Sequence, residues 1–346
     1  MENQKNIGAE SASKIRSFRK KNLSVDVLTQ AIFKGDKTAL GRAITLIESR
    51  SSSHLKKANT IIEKCLQKQN SSIRIGITGV PGVGKSTFIE SFGKALTNLG
   101  KSVAVLAVDP TSTVTKGSIL GDKTRMEELV KDPNAFIRPS PSGDSLGGVA
   151  RKTRETITLC EAAGFNIILI ETVGVGQSET AVHSMVDFFL LLKLSGAGDE
   201  LQGIKRGIME MADALVINKA DGDNIKRAKM AKVEFTRALH LYPPKNNNWT
   251  PKVLVCSAIE KSGIIEIWEM ISNYIAENRA LGFFEEKRNQ QNSYWFLQTV
   301  EDQLKQRFYQ NPEIKQTLET LLLEVRSNAI SPFQAAEKLL ALDKGK

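Results

Sequence analysis

The segment IRIGITGVPGVGKSTFIESFGKAL, residues 73–96, changes character twice. Its opening apolar run, closed by glycine, reads as a strand, and the part from Lys85 onward reads as an amphipathic helix. Between them GVPGVGKS, Gly79–Ser86, matches G-x-x-x-x-G-K-[ST] in full, in the strand–loop–helix context that gives that motif its meaning. Glycines let successive main-chain N–H groups turn inward around phosphate oxygens, and the helix N-terminus adds partial positive charge. Lys85 is placed to reach β- and γ-phosphates and the Ser86 hydroxyl to coordinate Mg²⁺. The phosphate-binding set is therefore Gly79, Val80, Pro81, Gly82, Val83, Gly84, Lys85, Ser86 and Thr87. This loop alone does not choose between ATP and GTP.

Outward from it, short apolar strands alternate with amphipathic helices. Strands are expected at 73–79, 102–108, 135–138, 166–171, 186–194, 214–218 and 252–256. Helices are expected at 85–99, 122–131, 148–163, 203–212, 224–240 and 263–280. That alternation predicts an α/β P-loop NTPase fold, a mostly parallel sheet with helices on both faces. The run MVDFFLLLKLSG, residues 185–196, is too short for a membrane helix and carries Asp187 and Lys193, so it reads as a strand buried on both faces. The expected organisation is a flexible segment over 1–24, helices over 25–70, the nucleotide domain over 71–284 and a C-terminal helical arm over 285–346. The arm's apolar stripes need a surface, either the chain's own core or a second subunit.

The 346 residues, 41% hydrophobic and 25% charged, have ordinary globular composition. The N-terminus is basic but lacks the apolar core of a secretory signal, and Glu2 and Glu10 count against an organelle transit peptide. Cys65, Cys160 and Cys256 are far apart and show no ligand spacing, which argues against a disulfide framework or structural zinc and fits a reducing cytoplasm. The net charge of +10 is spread along helices without an aromatic-interleaved basic patch, so a solvated surface is expected, with no nucleic acid or membrane as partner.

A second constellation concerns the base. LVINKAD, residues 215–221, ends a strand in N-K-x-D: Asn218, Lys219 and Asp221. The Asp221 carboxylate can accept from guanine N1–H and the exocyclic amine, a donor pair that adenine lacks. Lys219 can lay its stem on the ring and Asn218 can tie this loop to the phosphate loop. Further on, VLVCSAI ends another strand, with the Ala258 N–H placed for guanine O6 and Ser257 and Ile259 beside it. Strand-terminal NKxD followed by strand-terminal SA, in that order after a phosphate loop, points to GTP/GDP.

For the metal, Asp109 ends one strand, Glu171 ends another, and Asp122 lies in a loop. Glu171 stands where many nucleotide hydrolases have aspartate; one methylene longer, it could press on a metal-bound or attacking water. The Gly174 N–H can meet the γ-phosphate, making ETVG a switch. Gln177 either orients the attacking water or is a surface residue beside that switch.

TGVPGVGKST, AVDPTS, GDKTRM, ETVGVGQSE, GDELQGIKRGIMEMAD, INKAD and CSA, in this order, closely resemble the methylmalonyl-CoA mutase-associated GTPases, the MeaB/ArgK group of signal-recognition-particle/MinD-like P-loop proteins. The resemblance covers roughly residues 30–280. It implies a homodimeric GTPase that acts as chaperone to an adenosylcobalamin-dependent acyl-CoA mutase, gating cofactor loading and protecting or rescuing the mutase. Carried over by position, it implies catalytic and magnesium-associated roles for Lys85, Asp109, Asp122 and Glu171. It also implies a further switch loop over 195–207, with Lys205 as a mobile cation. The rival readings are an ATP-dependent kinase of a transport-system binding protein, a nickel-insertion GTPase, and a non-hydrolysing scaffold. NKxD opposes the first, and the lack of a soft-ligand cluster opposes the second.

Overall fold

The computed structural model describes residues 24–49, 51–68, 71–108, 126–139, 146–172, 178–196 and 206–343. Seven parallel strands form one sheet in the order β3-β2-β4-β1-β5-β6-β7. They are β1 Ile73–Gly79, β2 Val103–Val108, β3 Ala135–Arg138, β4 Ile167–Thr172, β5 Phe188–Leu194, β6 Ala214–Asn218 and β7 Lys252–Val255. The central strands are buried on both faces, which is why their sequences read as continuous apolar runs rather than alternating ones. β5 is such a strand, and even Lys193 within it is fully buried, its ammonium 5.2 Å from the Phe235 ring centroid.

Among the described residues three helices precede the sheet: α1 Val25–Phe33, α2 Lys37–Glu48 and α3 Ser52–Leu66. The starts of α1 and α2 follow from capping residues. Ser24 accepts from the Val27 N–H at 3.3 Å, and Asp36 accepts from Thr38 and Ala39 at 2.7 and 3.1 Å. They are lashed to the nucleotide domain by long cations. Lys37 donates to the carbonyls of Pro133 and Ala135, Lys68 donates to those of Phe33 and Ala162, and Arg138 pairs with Glu48. Burial pulls the Lys37 ammonium below its ordinary pKa, opposed by nearby Asp132.

The sheet is covered by α4 Lys85–Asn98, α5 Glu127–Lys131, α6 Leu146–Ala162, α7 Ser178–His183, α8 Arg206–Met211, α9 Ile225–Leu239 and α10 Ile264–Ala280. α7 was not expected, because six residues span too few turns to display a helical period. Residues 122–125 and 203–205 of two expected helices lie outside the described residues. β5 begins at Phe188 rather than 186, since Asp187 spends its carboxylate on the Arg74 N–H at 2.8 Å.

The chain divides into two compact units, Met1–Phe283 and Phe284–Lys346. The second is helical: α11 Phe283–Gln310 opens it, and α12 Pro312–Arg326 and α13 Pro332–Leu340 follow. Pro312 and Pro332 occupy first turns, with Asn311 and Ser331 as caps. Ile314, Leu321, Ala335 and Leu339 form this unit's own small core, flanked by Phe308, Leu318, Val325, Ile330 and Leu342.

Candidate nucleotide site

β1, β4, β5 and β6 deliver their carboxyl ends to one rim of the sheet, where ligands of open α/β sheets bind. After β1, Val80, Pro81 and Gly82 turn in partly open surroundings, Val83 plugs the core, and Gly84 caps α4 at φ +91°. A Cβ at Gly84 would lie 2.9 Å from Asn218 Nδ2, so a side chain is excluded by space as well as by backbone. Ser86 is half-buried and Thr87 exposed.

Lys85 donates to the Gly79 carbonyl at 2.8 Å and the Val80 carbonyl at 3.4 Å. Burial pushes its ammonium below the ordinary lysine value, and Glu171 and Glu179 partly oppose that. Glu171 is the penultimate residue of β4, 5% exposed, with Oε1 3.5 Å from the Ser86 hydroxyl. Thr172 donates to Thr78 at 2.9 Å, joining β4 and β1 side by side beneath the loop. Glu179, in the first turn of α7, is fully buried. The sequence reading missed it because a lone glutamate after a glycine turn carries no spacing signal. Asp109, Asp122, Gly174, Gln177 and Lys205 lie outside the described residues.

The base loop is joined to the phosphate loop by Asn218, which is buried at the end of β6. Its Nδ2 donates to the Val83 carbonyl at 2.9 Å, and its Oδ1 accepts from the Ala258 N–H at 3.3 Å and faces Cys256 Sγ at 3.5 Å. The Ala258 amide, expected at guanine O6, is thus directed at Asn218 here. Lys219 is exposed and sits at φ +59°, its Cε 3.7 Å from where a Gly84 Cβ would stand. Asp221 Oδ2 accepts from the Ser257 hydroxyl at 2.6 Å; Ser257 in turn accepts from the Glu260 N–H at 3.1 Å. Ile259 is 73% exposed. From below, Ser91 of α4 donates to the Ala258 carbonyl at 2.5 Å. The structure thus brings the phosphate loop, NKxD and SA into one connected network.

The family profile of the methylmalonyl-CoA mutase-associated GTPase MeaB matches residues 40–313. The chain belongs to the MeaB family. Like its family, it is a P-loop GTPase. A probable GTPase of Mycobacterium tuberculosis is 48% identical over 319 residues, covering 92% of this chain and 95% of that one. A mouse methylmalonic aciduria type A homolog, named as mitochondrial, is 45% identical over 332 residues, covering 93% of this chain and 80% of its own. A crystal structure of a LAO/AO transport system kinase superposes with TM-score 0.74 at 36% identity, covering 93% of this chain and 98% of that one. In this MeaB-family chain the Asn218 bridge ties the N-K-x-D loop directly to Val83 at the centre of the phosphate loop.

Proposed function

We propose that this MeaB-family protein uses GTP binding and hydrolysis to act as chaperone for an adenosylcobalamin-dependent acyl-CoA mutase, gating cofactor loading and protecting or reactivating the mutase. The observation that carries the GTP reading is the Asp221–Ser257 bond: a carboxylate held in place beside Asn218 is a receptor for guanine's paired donors. The family's own description supports the mutase as partner.

In this reading Lys85 leaves the Gly79 and Val80 carbonyls and turns to the β- and γ-phosphates. Main-chain N–H groups at the start of α4 are proposed to take the remaining oxygens. The facing Ser86 hydroxyl and Glu171 carboxylate, beside a buried ammonium, suit a hard cation; they would hold Mg²⁺, which neutralises charge on the transferring group. Asp109 and Asp122 are proposed to complete that acidic set, Gly174 to meet the γ-phosphate, and Gln177 and Lys205 to assist when the partner is bound. The protein then contributes positioning and charge neutralisation, with water attacking in line. Intrinsic turnover is slow until the mutase completes the site.

The molecule is proposed to work as a cytoplasmic homodimer. α11 exposes Phe296, Leu297, Val300 and Leu304, an apolar stripe at helical spacing. Among the described residues no helix is long and apolar enough to cross a membrane.

The test is GTP hydrolysis by the purified protein alone and with a cobalamin-dependent mutase. An increase of about tenfold or more is expected. No co-purification and no change in rate would refute the chaperone role. A phosphoprotein product formed from ATP, with ADP displacing GDP equally, would favour the transport-protein kinase instead.

A further inference from the structure

Asn224 closes the short 3₁₀ turn Gly222–Asn224 and is the residue immediately before α9. An asparagine there ordinarily caps the helix by accepting from an amide one turn ahead. This one makes no side-chain cap. Its amide is spent in the opposite direction. Oδ1 accepts from the Ser195 hydroxyl at 2.5 Å, and Nδ2 donates to the Lys219 carbonyl at 2.5 Å. The Lys219 carbonyl can only accept, which fixes the orientation of the amide group, and the Ser195 hydroxyl is then the donor to Oδ1. Its main-chain N–H also donates to the Asp221 carbonyl at 2.9 Å.

These bonds converge on the residues that read the base. Lys219 holds a left-handed backbone, φ +59°, which a lysine adopts only under external constraint. That backbone sends its stem across the phosphate loop, with Cε near Gly84. Ser195 directly follows β5, the strand beside β6. A side chain that grips the Lys219 carbonyl from an anchor just past the end of the neighbouring strand therefore fixes the loop's curvature, and with it the aim of Asp221.

We infer that Asn224 is a positioning residue for guanine recognition: braced by Ser195, it holds the Lys219 carbonyl and so keeps the Asp221 carboxylate aligned with the purine edge. This rests on the guanine-site reading above.

The discriminating readout is selectivity between GDP and IDP, measured by calorimetry on the full chain. Inosine lacks the exocyclic amine, so it forfeits one of Asp221's two bonds. A well-aligned carboxylate makes that loss costly, about tenfold in affinity. Asn224→Ala is expected to lower the GDP/IDP ratio about fourfold, because a misaligned Asp221 gains less from the amine. Ser195→Ala removes only the brace and is expected to lower the ratio about twofold, keeping the test decisive if the first variant folds poorly. An unchanged ratio in Ser195→Ala, together with equal weakening of GDP and IDP by any folded Asn224→Ala protein, is what a purely structural role would give, and it overturns the proposal. A wild-type protein that binds ADP as tightly as GDP would instead overturn the guanine site itself.

Discussion

Lys85 is held against two main-chain carbonyls in a cradle built for anions, with Glu171 and Glu179 sustaining its charge against burial. Removing it leaves the cradle with amide dipoles alone. Lys85→Ala is expected to weaken GDP and GTP binding by about 100-fold or more, as read by fluorescent-nucleotide titration; unchanged GDP affinity would refute the phosphate-loop assignment. Asp132 illustrates a carboxylate with a purely structural task. It accepts from Lys94 at 2.5 Å, Thr97 at 2.8 Å and the Asn134 N–H at 2.9 Å. The Lys94 bond leads the effects that depress its pKa to about 2. A depressed folded-state value means the stabilisation is fully present above the usual carboxylate pKa of 3.8 and is lost as pH falls towards 2. Asp132→Asn should cost about 1–3 kcal/mol at neutral pH and flatten the stability profile over that acid window, measured by urea unfolding at stepped pH.

At the scale of elements, β7 and α10 meet through a turn with no spare room. Gly263, the α10 N-cap, sits at φ +73°, and a Cβ there would collide with the Val255 carbonyl. The same turn carries the Ser257–Ser262 bridge that presents Ser257 to Asp221. Gly263→Ala is expected to destabilise the protein by about 2–4 kcal/mol and to loosen GDP binding in parallel. Loss of stability with GDP affinity intact would separate this turn from the base site. The strands were legible in sequence because a fully buried parallel strand writes itself as an unbroken apolar run. α7 was not, since a six-residue helix is stabilised by tertiary contacts rather than by its own period. α11 ran on through FFEEKRNQ because nothing there stops a helix, although few of its residues are buried.

For the whole molecule, the exposed stripe of α11 sets an oligomer test. Leu297→Glu with Leu304→Glu should convert a dimer into a monomer in light scattering while leaving GDP binding within about twofold, because both residues lie outside the nucleotide unit. A wild-type mass of one chain would remove the homodimer. The three cysteines give a measure of global integrity. All are buried, and burial raises the Cys65 thiol to about 11, the Cys256 thiol to about 12 and the Cys160 thiol further still. A disulfide reagent should therefore modify none of them at neutral pH until the protein unfolds, when all three react together.

The sequence by itself determined the fold class and the motif residues, because glycine-dependent turns, buried strands and a strand-terminal N-K-x-D each demand particular residue types at short, ordered separations. Tertiary structure alone decided how those motifs are wired. Asn218 reaches back 135 positions to Val83, Ser91 reaches 167 forward to Ala258, and Asn224 turns away from its own helix to Ser195. Hydrogen bonds between residues so far apart leave no periodic trace along the chain; they exist only once parallel strands bring distant carboxyl ends to a common rim.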